Sequence, residues 1–99
     1  MRIRFKDKKL EKLYTEEKGA QKYPPPVVDA FFDLMATIVE ADSPQDLRAL
    51  EWLHFEQLKG ERKGDSSLIL HGRWRLEITL EQDRQGHIVT ILQISKHYE

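Results

Sequence analysis

Apolar residues return every three or four positions in the first half of this chain and every second position in the second half. Between Lys6 and Glu17, Leu10, Leu13 and Tyr14 fall at i, i+3 and i+4, so the spacing predicts a helix with one apolar stripe, ended by Gly19. Arg2-Ile3-Arg4-Phe5 alternates polar and apolar and predicts a short strand before it. Val27, Val28, Phe31, Leu34, Met35, Ile38 and Val39 recur at helical spacing and predict a second, core-forming helix. Pro24 to Pro26 exclude helix immediately before it, although the last of them fits its first turn. Ser43 as cap and Pro44 as first helical residue predict a short third helix through about Leu50.

From Phe55 onward the period is two. Strands are expected near 54–58, 66–71, 73–81 and 87–95, with His71-Gly72 as one tight connection and Gln82 to Gly86 as the next. Ile88 to Ile94 is apolar at nearly every position, which predicts a central strand covered on both faces. Helices followed by a mainly antiparallel sheet of four to five strands give an α+β fold of two layers, one domain over residues 1–99. If Trp74, Leu76, Ile78 and Leu80 face the helices, then Arg73, Arg75, Glu77 and Thr79 face the other way; the opposite register would bury two arginines and a glutamate. Trp52 and Trp74 are expected in the core.

Composition removes several functions. The chain has no cysteine, which excludes thiol catalysis, disulfides and thiolate metal sites. Its four histidines are far apart, without the short spacings of a zinc site, so neither metal nor other cofactor is expected. The first residues lack the apolar stretch of a signal peptide and no run reaches membrane-spanning length, so a cytoplasmic protein with no membrane partner is expected. The net charge of -1 hides an uneven spread: +4 over residues 1–22, -6 over 23–58 and +1 over 59–99. Local fields steer polyanions more than the total does, and a nucleic-acid role survives.

The candidate chemistry gathers between His54 and Arg75. Here strand, Gly-bounded turn, strand, two-residue turn and strand bring Lys59, Arg62, Lys63, Arg73 and Arg75 into one unit. Gly60 and Gly64 bound the turn where positive φ is needed, and cations held this way suit phosphate. Lys96-His97-Tyr98 follows directly from the last strand.

The pattern LHFEQLKGERKG, LILHGRWRL and ILQISKHY, preceded by FKDKKLEKLY and PPPVV, resembles the HigB branch of the RelE/ParE superfamily of bacterial toxins. The resemblance covers nearly the whole chain and rests on the joint order of the motifs. It implies a type II toxin that enters the ribosomal A site and cleaves mRNA there without a metal. It also implies a helix-turn-helix, HigA-like antitoxin, with operator DNA contacted only through that partner. By the same resemblance Lys59 and Arg75 bind phosphate and stabilise charge as the 2′-hydroxyl attacks phosphorus, and Glu56 stands where some members have a histidine and serves as general base; strand alternation points His54, two residues further back, to the same face. His97 protonates the leaving 5′-oxygen and Tyr98 stacks on a base or orients the phosphate, while Arg62, Lys63, Arg73 and Lys96 attract RNA.

Two departures stand out. Where many members carry a strand arginine this chain has Ser67-Leu68-Ile69-Leu70, and the usual Asp-Tyr-His is Lys96-His97-Tyr98. Two alternatives follow: a ParE-like toxin that acts on DNA gyrase by protein contact, and a degenerate member that binds its antitoxin and cuts nothing. The antitoxin surface is either the basic N-terminal helix or the cationic sheet face.

Overall fold

A computed structural model describes residues 1–96. The chain runs β1 (Arg2–Phe5), α1 (Lys8–Glu16), α2 (Pro25–Glu40), α3 (Pro44–Arg48), β2 (Glu56–Gln57), β3 (Asp65–His71), β4 (Trp74–Asp83) and β5 (Gly86–Lys96), with single 3-10 turns at Ala20–Lys22, Glu51–Leu53 and Gly60–Arg62. The sheet order is β1-β5-β4-β3-β2; β1 runs parallel to β5 and the other pairs are antiparallel. This is the expected α+β arrangement, with the helices on one face. None of the described helices is long and apolar enough to cross a membrane.

Local chemistry sets the helix ends. Asp7 caps α1 by accepting the Lys9 N–H at 2.8 Å, which satisfies one of the donors left free at a helix start. Asp7→Ala is expected to lower stability by about 1 kcal/mol, read as a lower urea midpoint at unchanged slope. The helix ends at Glu17, itself left-handed at φ 57°, two residues before the expected Gly19. Ser43 precedes α3 but makes no side-chain cap; instead Asp46 Oδ2 accepts the Asp42 N–H at 2.9 Å.

The core joins Leu10 and Leu13 of α1, Phe31, Leu34, Met35 and Ile38 of α2, and Leu68, Leu76, Ile78, Val89 and Ile91 of the sheet. Val39, expected in that stripe, is 45% exposed. It follows Ile38 by about 100° of helical turn, which carries it past the buried edge. Trp52 also departs from expectation: it stands in the Glu51–Leu53 turn and is 57% exposed, while its neighbour Leu53 is fully buried. Trp74 is half-buried, edge-on to Tyr23 with ring centroids 5.9 Å apart.

The strand expected over 54–58 is only Glu56–Gln57. The 3-10 turn before it leaves His54 left-handed at φ 47°, so strand alternation does not extend back to His54. β5 is an interior strand, but only Ile88 to Ile91 are buried on both faces. Glu77 pairs with Gln93 while Ile78 pairs with Ile91, so Leu92 is an extra residue in β5. That bulge changes the phase of the alternation. Ile91 faces the core, and two residues later Gln93 faces the opposite side, beside Glu77.

Candidate functional site

The face of the sheet turned away from the helices is polar and bears the candidate site. Register places Glu56 opposite Ser67, Ser67 opposite Glu77, and Ile69 opposite Arg75. Glu56, Ser67, Arg75 and Glu77 therefore share this face, as alternation from the buried Leu76 and Ile78 requires.

Arg75 is held by the fold. Its Nε donates to Ser67 Oγ at 2.8 Å and its Nη2 to the His54 carbonyl at 2.8 Å. Glu56 Oε2 stands 3.6 Å from the same Nη2. The side chain of Arg75 is 15% exposed and that of Glu56 65%. A guanidinium fixed on one edge, with Nη1 outside both hydrogen bonds, presents donors in a set direction. His54 meets Arg75 through its backbone carbonyl.

The basic turn is fastened to this face by Arg62. Its Nε donates to Asp65 Oδ2 at 2.8 Å and its Nη2 to Glu77 Oε1 at 2.5 Å. Asp65 Oδ1 also accepts from Thr79 Oγ1 at 2.7 Å, and Glu77 Oε1 from Gln93 Nε2 at 3.2 Å. Arg62, expected only to attract RNA, is thus engaged by two carboxylates. Gly60 at φ 69° and Gly64 at φ 104° let the turn fold tightly enough for this contact. Lys59 and Lys63, on either side of the 3-10 turn, are exposed. A cleft of about 390 Å³ opens between the turn and β5, lined by Lys6, Arg62, Asp65 and Thr79 among others.

Burial by itself raises the Glu77 carboxyl, but hydrogen bonds from Ser95, Gln93 and Arg62, with the charge of Arg62, bring it below its ordinary value. Hydrogen bonds from Thr79 and Arg62 hold Asp65 below its ordinary value as well. Both groups are more acidic folded than unfolded. Their stabilisation is complete above the unfolded carboxylate range, about pH 4, and is lost as pH falls through the lower folded values. Urea midpoints measured down the acid limb are expected to fall less steeply in Glu77→Gln than in wild type; equal slopes would remove Glu77 from the linkage.

The other expected site residues are spread more widely. Arg73 lies in the exposed two-residue turn between His71 and Trp74, off the strand. Lys96 ends β5 with Nζ 5.7 Å from the Trp74 ring centroid. His97 and Tyr98 lie outside the described residues. Ile69 is the cross-strand neighbour of Arg75, while Leu70 packs on the core, so no second strand cation stands beside Arg75 there. Among the described residues no three His, Asp or Glu side chains are grouped to hold a metal. Sequence reasoning missed the anchoring set of Asp65, Ser67, Gln93 and Ser95. Its signals were Asp65 directly after Gly64, and the period of two that links Arg75 to Glu77.

The chain matches the family described as RelE-like toxin of type II toxin–antitoxin system HigB over residues 3–91. It is 33% identical over 76 residues to Toxin HigB-1 of Vibrio cholerae serotype O1, a stretch covering 77% of this chain and 80% of that relative. In structure it is similar to YafQ from E. coli strain BL21(DE3), with a TM-score of 0.63 at 13% identity over 98% of this chain and 94% of that one. It is also similar to a chain of the toxin–antitoxin complex RelBE2 from Mycobacterium tuberculosis, with a TM-score of 0.51 at 21% identity over 97% and 96% of the two chains. At these identities the two structures show likeness of fold.

Proposed function

The chain belongs to the RelE-like HigB family of type II toxins, and from that premise we propose that it is a ribosome-dependent mRNA endoribonuclease working in the A site without a metal cofactor. The observation that carries this reading is the fixed Arg75 with Glu56 at 3.6 Å, on the face to which the Lys59 turn is fastened. In this mechanism Glu56 takes the proton of the 2′-hydroxyl as O2′ bonds to phosphorus. The P–O5′ bond breaks, and His97 supplies the proton that the departing 5′-oxygen needs. Arg75 Nη1 and Lys59 meet the charge that grows on the phosphoryl oxygens, where fixed donors lower the barrier most. Tyr98 stacks on a base or orients the phosphate, and Lys63, Arg73 and Lys96 attract the RNA backbone.

Such an activity in the cytoplasm requires restraint, and we assign it to a helix-turn-helix antitoxin through which alone the toxin meets operator DNA. Support comes from the family itself and from the similar chain solved within a toxin–antitoxin complex.

The test is induced expression with growth and mRNA ends followed in the same cultures. Wild type is expected to arrest growth and create new mRNA ends at translated codons; Lys59→Ala and His97→Ala are expected to lose those ends while folding normally. Arrest without new RNA ends overturns the nuclease reading in favour of a target met by protein contact, such as gyrase. No arrest from folded wild-type protein leaves a binding member that cuts nothing.

A further inference from the structure

Away from the polar sheet face, four lysines converge. Lys9, Lys12, Lys18 and Lys22 line a hollow of about 220 Å³, with Leu13 and Tyr23 in its remaining walls. Lys9 and Lys12 lie three apart on α1 and therefore on one side of it. The left-handed Glu17 then turns the chain back, and the Lys18 N–H donates to the Lys12 carbonyl at 3.3 Å. That return brings Lys18 and Lys22 to the same hollow.

Neutralisation within the protein is slight. Lys18 pairs with Glu16 at 3.2 Å, whereas Lys9, Lys12 and Lys22 form no ion pair among the described residues. Asp7 caps the helix through the Lys9 backbone N–H and acts by charge on the Tyr23 phenol, so four ammonium groups face two carboxylates, Asp7 and Glu16. Like charges in such excess repel, and a bound anion relieves that repulsion.

The hollow is also joined to the candidate site. Tyr23 in its wall meets Trp74 edge-on at 5.9 Å, and Lys96 lies over the Trp74 ring at 5.7 Å. Trp74 opens β4 and directly precedes Arg75. Trp74 therefore stands between the wall of the hollow and the strand that carries Arg75.

We propose that this lysine hollow is a second RNA-binding site, one that grips phosphodiester backbone without reading bases. The proposal rests on the ribosomal reading above for the presence of RNA. Charge complementarity and the make-up of the walls choose the occupant. Leu13 is 1% exposed and Tyr23 half-buried, so lysine stems supply much of the apolar wall of the hollow, and their ammonium groups give it its charge. Protein interfaces are depleted in lysine at their cores, whereas phosphate contacts use it as a point charge. The phosphates belong either to the mRNA strand or to ribosomal RNA, and the same chemistry serves both.

The test compares wild type with the triple variant Lys9→Gln, Lys12→Gln and Lys22→Gln, both checked for unchanged thermal midpoint. Binding of a labelled single-stranded oligoribonucleotide and of isolated ribosomes is measured as a function of KCl concentration, with antitoxin binding alongside. Three lost phosphate contacts are expected to make the slope of log K against log salt shallower by about 2, while the cleavage rate at saturating ribosome changes less than about twofold. A change in the oligoribonucleotide arm assigns the hollow to the mRNA strand; a change confined to the ribosome arm assigns it to ribosomal RNA. Unchanged slopes in both arms overturn the proposal, and if antitoxin binding alone weakens, the hollow belongs to a protein partner instead. A wild type that binds RNA with the expected slopes but makes no cuts sinks the nuclease reading and leaves the hollow standing.

Discussion

Arg75→Ala is expected to slow mRNA cleavage on saturating ribosomes by about 10²- to 10³-fold, the loss typical of removing one fixed donor from a developing oxyanion. The reason is the way Arg75 is held. Ser67 Oγ and the His54 carbonyl fix Nε and Nη2 at 2.8 Å each, so the orientation of the remaining donors is set before substrate arrives. Preorganised charge costs no rearrangement during the reaction, which is why its removal shows in kcat. Arg75→Lys should recover little, because a flexible ammonium cannot reproduce a planar fork anchored on one edge. Ser67→Ala removes a single anchor and should slow cleavage about tenfold or less, in line with one hydrogen bond of about 1 kcal/mol. Single-turnover cleavage of mRNA on programmed ribosomes measures all three variants, with antitoxin binding as the check on fold. Cleavage by Arg75→Ala within a few-fold of wild type would falsify the role given to Arg75.

The second large effect belongs to Glu77. Its side chain is 9% exposed in a sheet face that would otherwise be open to water, because Arg62 and the turn around it lie over it. Glu77→Ala leaves Arg62 with Asp65 alone and strands the donors of Gln93 and Ser95. A loss of about 1–3 kcal/mol is expected, the usual penalty for unmaking one side of a buried hydrogen-bond set. The upper figures for buried ion pairs do not apply, since the Arg62 side chain is 43% exposed and solvent screens it. The loss should also be local. Amide hydrogen exchange is expected to quicken over Lys59 to Gly64 in the variant, with cleavage falling because Lys59 is no longer held to the face. Glu77→Gln keeps the shape and the neutral hydrogen bonds and should fall between wild type and Glu77→Ala. Wild-type exchange rates across the turn in Glu77→Ala would show that Arg62 and Asp65 suffice to fasten it.

These two residues mark where legibility ended. The sequence puts Arg75 on the polar face because burying it with Glu77 in the other register would be too costly, and the structure has Arg75 there. Alternation gives the facing of Glu77 but not what lies over it, so its burial beneath Arg62 is not legible in the sequence. The strand after the last turn was legible as an interior strand, yet its run of apolar residues concealed the bulge at Leu92, since period two carries no sign of an inserted residue. The facing expected for His54 counts back along a strand, and β2 is too short to include it. Residue type alone puts Trp52 in the core, but in the 3-10 turn Leu53 takes the buried position.

What the sequence determined by itself was whatever depends on neighbours along the chain. The apolar stripes of α1 and α2, the tight turns at Gly64 and His71-Gly72, the alternation in β4 and the motif order shared with HigB toxins all belong to local periodicity and residue type. The tertiary structure decided what depends on residues far apart in sequence: the grip of Ser67 and the His54 carbonyl on Arg75, the capture of Arg62 by Asp65 and Glu77, and the parallel pairing of β1 with β5. Hydrogen bonds and ion pairs need partners within a few ångströms in a set direction, and only the folded sheet, with its register and its bulge, supplies that closeness.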